Sequence, residues 1–142
     1  MTVSEDGAVE LAPSECRTLI AGGDFGRLAI RSSDGVDIFP VNFVMHDDAL
    51  YFRSGPGSKM VDLTSDPRVA FEVDERSDTS AWSVVVHGHA MRLNSDADIE
   101  ASTVLALRAW DPSDKFNYVR LEIDTITGRR VRLPERKVDR VS

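Results

Sequence analysis

Short strands of alternating polarity constrain this chain more than any other feature. Val69, Phe71 and Val73 occupy every second position of one such run, which predicts a strand over 68–74 with these side chains facing inward. Further strands are predicted at 26–31, 37–45, 50–53, 82–93, 116–126 and 130–133. Many short antiparallel strands are typical of closed sheets, which leave few exposed edges. The pattern predicts a mainly β fold, a β-barrel with peripheral helices.

Helical patterns are few, and they lie between the strands. The first is predicted at 11–21, where Cys16, Leu19 and Ile20 share one apolar face and Gly22 ends the helix. This position favours core packing over a reactive thiol for Cys16. Two other helices are predicted at 59–65 and 97–109.

Turn residues separate these segments. Turns are predicted at 33–35, at 46–48 and at Thr127-Gly128, and His46 is assigned to the second. Gly88 lies inside a predicted strand, where glycine indicates a bend or a close approach of another backbone.

The chain of 142 residues predicts a single domain, 1–142, with its core at about 11–133 and short tails on either side. A net charge of −7 argues against nucleic-acid or anionic-membrane binding. The charge is uneven, because residues 128–142 carry a net +4 and the remainder −11. This basic C-terminal segment is either a solvated, poorly ordered terminus or an anion-binding tail.

The predicted location is the cytoplasm. No apolar run approaches the roughly 18 residues of a membrane span, and the N-terminus lacks the basic and apolar segments of a signal peptide. The lone Cys16 excludes an internal disulfide and fits a reducing compartment.

A proline interrupts the predicted strand 37–45. Since proline donates no ladder hydrogen bond, Pro40 indicates a bulge or a broken edge, where backbone groups face something other than a strand. Asn42 either presents its amide to a ligand there or satisfies its own backbone in a turn or bulge.

The loop after the next strand has the composition of a phosphate site. Arg53 and Lys59 supply cations, Ser54 and Ser58 supply hydroxyls, two glycines allow close approach, and a helix is predicted to begin at Ser58. The alternative is a Gly-Pro-Gly surface turn with two solvated cations. A polar slot beside a phosphate cradle predicts a phosphorylated planar cofactor.

Other chemistry has little support in the sequence. His87 and His89 share one strand face, but no Cys, Asp or Glu cluster supplies a third ligand, so no metal is predicted. No Gly-x-Ser-x-Gly elbow is present, and no catalytic residue is identified. Redox chemistry would then belong to the cofactor.

The order of several short motifs resembles the pyridoxamine 5′-phosphate oxidase-like family of FMN-binding split β-barrels, in particular its short actinobacterial and nitroimidazole-reductase-like members. The similarity covers about 26–133. It rests on Gly26-Arg27-Leu28, Pro40-Val41-Asn42-Phe43, Arg53-Ser54-x-x-Gly57-Ser58-Lys59, Phe71-Glu72-Val73 and Trp82-Ser83-Val84-Val85-Val86-x-Gly88.

The resemblance implies a split barrel that forms a homodimer, with two cofactor sites along the subunit interface. It implies that one subunit holds the isoalloxazine edge and the phosphate, and that Trp82 and Ser83 reach the flavin from the other subunit. A half-buried aromatic at a strand start is the structural alternative for Trp82. The implied cofactor-binding residues are Pro40, Val41, Asn42, Arg53, Ser54, Ser58, Lys59, Trp82 and Ser83.

The function implied is an FMN-dependent oxidoreductase that transfers a hydride or two electrons to an unidentified small molecule. An F420-dependent reductase is the alternative, since the basic C-terminal segment suits its anionic tail. A non-catalytic flavin- or haem-binding protein for storage or sensing is the alternative of another class. The sequence departs from its relatives in two ways. First, the pyridoxamine phosphate oxidases have a second set of basic residues for the substrate phosphate, which is absent here unless Arg129, Arg130 and Arg132 serve. Second, the nitroimidazole-reductase branch is expected to carry a histidine near the position of Arg53, and this sequence has none there.

Overall fold

The computed structural model describes residues 7–32, 35–54, 66–93 and 117–134. These residues form one helix and seven strands. Their bounds are β1 Ala8–Leu11, α1 Pro13–Ala21, β2 Phe25–Ser32, β3 Gly35–His46, β4 Ala49–Ser54, β5 Arg68–Arg76, β6 Ser80–Arg92 and β7 Asn117–Arg132.

The strands form one antiparallel sheet that closes on itself. The strand order is β1-β7-β4-β3-β2-β5-β6, and β6 also pairs with β7, so every strand except β1 lies in a ring. The long strand β7 makes this possible, since it pairs with β6 along most of its length and with β4 and then β1 on its other side. The predicted mainly β barrel is confirmed.

The barrel interior is filled by the inward positions of each strand. Phe71 packs edge-on against Phe43 and Phe52, with ring centroids 5.0 and 5.1 Å apart. The neighbouring Val69 and Val73 are also buried, which confirms the alternation predicted for β5. The aromatic cluster lies near the middle of the sheet order and links β3, β4 and β5.

Helix α1 packs against the barrel, mainly on β7. It begins at Pro13 rather than at Leu11, because proline fits the first helical position and Leu11 is paired in β1. Cys16 and Ile20 are fully buried in the core, and burial raises the pKa of the Cys16 thiol. The core position predicted for Cys16 is confirmed.

The turn predicted at Thr127-Gly128 is wrong, because β7 continues through both residues. A Cβ on Gly128 would lie 2.6 Å from Cys16 Sγ, so this glycine allows α1 to approach the strand. Arg129, Arg130 and Arg132 belong to the same strand rather than to a loose terminus, and Arg130 Nη1 lies 3.3 Å from Glu15 Oε1. Residues 135–142 lie outside the described part of the chain.

The bend predicted at Gly88 is confirmed. The β6–β7 register shifts between His87 and Gly88, and a Cβ on Gly88 would lie 2.0 Å from the Glu122 carbonyl oxygen. Asp124 has no partner in this register, so the alternation of inward and outward side chains shifts by one residue along β7. Leu121 is buried before the shift and Ile126 after it.

The turn predicted at 46–48 is confirmed. Asp47 and Asp48 form a two-residue hairpin loop with φ of 49° and 63°, and His46 is the last residue of β3 beside it. The predicted turn at 33–35 lies largely outside the described residues, as do the predicted helices at 59–65 and 97–109. Among the described residues, no helix is both long enough and apolar enough to span a membrane.

Candidate functional site

The segment around Pro40 lies within β3 without a bulge. The register between β2 and β3 is unbroken from Gly35 to Asn42, so the predicted bulge is wrong. The Phe43 amide donates to the Asp24 carbonyl at 3.0 Å, and antiparallel pairs alternate in hydrogen bonding. Pro40 therefore lies at a position whose nitrogen points away from β2, where proline removes no bond from that ladder.

The register between β3 and β4 covers Phe43 to His46, so Pro40 lies beyond it, as the edge alternative predicts, while Asn42 borders the last pair. Val41 is buried and belongs to the core, whereas Pro40 is exposed and Asn42 is half-buried on the outer side. By the same alternation, the backbone groups of Asn42 and the Pro40 carbonyl are directed away from β2.

Strand β4 brings the predicted phosphate residues toward this segment. Arg53 and Ser54 are its last two residues and pair with Tyr118 and Asn117. Because Phe43 lies opposite Phe52, the backbones of Arg53 and Ser54 follow at the same end of the β3–β4 pair. Ser58 and Lys59 lie outside the described residues.

Trp82 and Ser83 lie elsewhere on the same barrel. Asn42 pairs with Phe25 on β2, and Ser83 pairs with Asp74 on β5, so both positions fall on one row across the sheet. Three strand spacings separate Asn42 from Ser83 around the barrel, a path of roughly 14 Å along the curved sheet. One protomer thus brings together the β3 and β4 residues of the predicted set, but not the β6 residues.

Trp82 lies between two open cavities at one end of the barrel. One, of about 410 Å³, is lined by Trp82, Ser83, Arg76 and Arg129 among others. The second, of about 450 Å³, lies on the side of α1 and Phe25. Trp82 also packs partly against the core, so the structural alternative for this residue is compatible with the fold.

An ionic cluster that the sequence did not predict lies on the outer face of β2 and β5. Arg27 Nη1 donates to Glu72 Oε1 at 2.8 Å and to Asp74 Oδ2 at 3.2 Å. Burial, followed by a hydrogen bond and repulsion from Asp74, raises the pKa of Glu72 to about 7, although Arg27 opposes the shift. One guanidinium is shared by two carboxylates, of which Glu72 is the more buried.

The sequence offered only a weak signal for this cluster. Arg27 and Glu72 both fall inside the motifs that carry the family resemblance, but 45 residues separate them. The β2–β5 register that places them opposite each other cannot be read from local spacing. A cavity of about 270 Å³ opens beside the cluster, with Ile38, Phe71 and Val85 on its apolar walls.

The histidines of β6 have separate surroundings. His89 Nδ1 contacts Asp124 Oδ2 at the β6–β7 irregularity, and His87 is exposed. Within the four described segments, no three His, Cys, Asp or Glu residues are grouped so that they could hold a metal ion.

Comparison with known proteins identifies the fold and the family. A family model described as pyridoxamine 5′-phosphate oxidase matches residues 12–130, which include all nine predicted cofactor-binding residues. The chain belongs to the pyridoxamine 5′-phosphate oxidase family. The closed sheet described above is accordingly a split β-barrel.

Solved structures of similar proteins cover most of the chain. A candidate pyridoxamine 5′-phosphate oxidase from Corynebacterium glutamicum is 37% identical, with a TM-score of 0.80, and the match covers 91% of this chain and 96% of that one. An FAD binding protein from Mycobacterium smegmatis is 31% identical, with a TM-score of 0.72 and coverage of 87% and 98%.

Among curated sequences, an uncharacterized Rhizobium meliloti protein is 33% identical over 84 residues. That match covers 58% of this chain and 56% of the relative, so the similarity spans only about half of the relative's length.

Proposed function

We propose that this protein binds FMN and acts as an oxidoreductase that transfers a hydride or two electrons to a small molecule. The observation that carries the proposal is the family match across 12–130, which includes both halves of the candidate site. The FAD binding relative from Mycobacterium smegmatis supports a flavin as the ligand class.

The donor set on β3 fits the polar edge of a flavin ring. That edge needs both donors and acceptors, and the Pro40 carbonyl is directed away from β2 and lies beyond the β3–β4 ladder, toward the side where such a ring would lie. Val41 anchors the segment in the core, so it is held rigidly. In this proposal the Asn42 amide adds a further polar contact.

The phosphate is assigned to the end of β4 and the loop that follows. Arg53 and Lys59 would pair with a terminal dianion, while Ser54 and Ser58 would donate hydroxyl hydrogen bonds. This favours FMN, since its phosphate is terminal and doubly charged.

A second protomer completes the proposed site. Asn42 and Ser83 lie on strands three positions apart in the closed sheet, on opposite sides of one barrel, which supports a homodimer in which Trp82 and Ser83 of one copy reach the flavin held by the other. Bound flavin supplies the electron-transfer chemistry. The chain would bind and orient it, and Trp82 would cover the ring and limit its contact with water.

Binding of FMN tests the proposal directly. We expect the purified protein to show flavin absorbance, and its apoprotein to bind FMN more tightly than riboflavin. Arg53→Ala and Lys59→Ala should each weaken FMN binding about ten- to a hundredfold, because each charge-assisted bond contributes on the order of 1.5–3 kcal/mol. Arg31→Ala is the matched control, because it removes an exposed cation on β2 and should leave FMN affinity unchanged.

Equal affinities of the wild-type protein for FMN and riboflavin would contradict the phosphate assignment. Turnover with a reduced nicotinamide and a panel of small-molecule acceptors then separates an enzyme from a non-catalytic flavin carrier. A carrier would bind FMN tightly but would not oxidise the nicotinamide faster than free FMN does.

A further inference from the structure

A cavity with two aromatic side chains in its lining lies at the end of the barrel. It opens between the C-terminal end of α1 and the strands β2, β5 and β6, and it encloses about 450 Å³. We call it the α1 cavity, and its apolar lining consists of Leu19, Phe25, Val73 and Trp82. Val73 is buried and Trp82 packs partly against the core, so this part of the lining is fixed in place. A cavity of this size and lining is typical of small-molecule sites.

The α1 cavity is negatively charged. Among the described residues, every charged side chain that lines it is an acid, namely Asp24, Asp74 and Glu75. Asp74 contacts Arg27 at 3.2 Å, but in the described part of the chain neither Asp24 nor Glu75 forms an ion pair. Helix α1 ends at this cavity without a basic residue in its last turn, so the partial negative charge of the helix C-terminus adds to that of the carboxylates. The cavity therefore favours a cation.

The position of Glu75 beside Trp82 indicates which kind of cation fits. The two residues are register partners on β5 and β6, so their Cβ atoms lie on one face, about 4.5–5.5 Å apart. The face of an aromatic ring attracts a cation, and the carboxylate beside it supplies the opposite charge. A metal ion needs several ligands, and the described residues contain no group of three His, Cys, Asp or Glu side chains that could hold one. An ammonium group with apolar substituents satisfies both the rings and the carboxylates.

We propose that the α1 cavity binds a small organic cation, a quaternary or protonated amine. Its charged nitrogen faces Asp24 and Glu75, and its apolar substituents contact Phe25 and Trp82. The inference goes beyond the proposed function and requires no flavin. Of the described residues that are predicted to hold the cofactor, only Trp82 lines this cavity.

Titration of the full-length protein with choline and with phenyltrimethylammonium, followed by heteronuclear NMR, tests the inference. We expect both cations to shift the indole N–H signal of Trp82, which is assigned by its loss in Trp82→Phe. The uncharged carbon isostere of choline, 3,3-dimethyl-1-butanol, should bind at least about tenfold more weakly, because it offers no charge to the carboxylates. Added salt should weaken the binding of the cations but not that of the alcohol.

Substitutions test the carboxylate and the ring separately. Glu75→Gln should weaken choline binding about tenfold, since it removes the charge beside Trp82 and keeps the shape of the side chain. Asp78→Asn is the matched control, because it removes an exposed carboxylate between β5 and β6 that does not line the cavity, and it should leave the affinity unchanged. Phe25→Leu should weaken the binding of phenyltrimethylammonium about three- to tenfold, because one ring face is lost. Circular dichroism of each variant confirms that the barrel is folded.

Three results would overturn the inference. They are equal affinities for choline and its uncharged isostere, a Trp82 signal that neither cation shifts, and an equal loss of affinity in Glu75→Gln and Asp78→Asn. Titration of the same preparation with FMN distinguishes this inference from the proposed function. Tight FMN binding without cation binding leaves the proposed function standing, and cation binding without FMN binding contradicts the proposed function alone.

Discussion

At the scale of single residues, Glu72 is the group whose environment most alters its chemistry. Its carboxylate is partly buried on the barrel wall and shares Arg27 with Asp74. The ion pair does not compensate fully for burial and for the neighbouring carboxylate, so the pKa of Glu72 rises to about 7. Because the pKa is higher in the folded chain than in the unfolded chain, ionisation of Glu72 lowers the free energy of unfolding.

Glu72→Gln should therefore change the pH dependence of folding. The contribution of Glu72 to stability is fully present below its ordinary pKa of 4.5 and is lost as the pH rises toward 7. Urea denaturation should find the variant more stable than the wild type at pH 8, with the difference shrinking toward pH 5. Glu122→Gln should show no such pH-dependent gain in stability. A stability difference between Glu72→Gln and the wild type that does not change between about pH 5 and pH 8 would contradict the assignment.

At the scale of elements, glycines fix where strands and helices approach one another. Gly88 lies at the β6–β7 irregularity, where a Cβ would meet the Glu122 carbonyl oxygen at 2.0 Å. Gly22 ends α1 with a φ of −82°, and its nearest contact, at 3.6 Å, is an ordinary one. The two glycines are therefore expected to differ sharply in their tolerance of a methyl group.

Gly88→Ala should destabilise the fold by about 3 kcal/mol, because backbone atoms of β7 must move to admit the new Cβ. Gly22→Ala should leave stability unchanged or raise it by about 0.5 kcal/mol, since the unfolded chain loses freedom. The melting temperatures of the two variants and the wild type, measured by thermal unfolding, test this difference. Equal melting temperatures for both variants would contradict the close approach at Gly88.

These elements show what the sequence could and could not predict. The alternation of Val69, Phe71 and Val73 is local, and it predicted β5 and its buried face correctly. A glycine in a sequence is compatible with a turn and with a close contact between elements. For Gly128 the close contact with Cys16, which the sequence does not show, is the reason for the glycine. Partners across the sheet depend on register, so the Arg27–Glu72 pair had no local signal.

For the candidate site, too, some features could be predicted from the sequence and others could not. The order of motifs led to the right family, and the β3–β4 pair brings Pro40–Asn42 toward Arg53. The bulge predicted at Pro40 was wrong, because the alternation of hydrogen bonds along the β2 ladder already leaves its nitrogen pointing away from β2. The phosphate-binding roles of Ser58 and Lys59 remain predictions.

At the scale of the whole molecule, the uneven charge bears on the choice of cofactor. Residues 128–142 carry a net +4 and the rest of the chain −11. Arg129, Arg130 and Arg132 belong to β7 and are fixed on the barrel, so only the basic residues beyond Leu133 could form a separate anion-binding tail. An acidic body disfavours a cofactor with a long anionic tail, such as F420, unless that segment binds it.

Truncation after Leu133 separates the two cofactors, because it removes Arg136, Lys137 and Arg140 but leaves β7 complete. If FMN is the cofactor, flavin affinity should change by less than about twofold, since truncation leaves Arg53 and Lys59, the residues proposed to hold its terminal phosphate, in place. If F420 is the cofactor, truncation should weaken its binding and reduce the salt dependence, because attraction between exposed charges is screened. Titration of full-length and truncated protein with both cofactors, at low and at high salt, measures this. We expect the FMN result, and tight F420 binding that is lost on truncation, without measurable FMN affinity in the full chain, would reverse the choice.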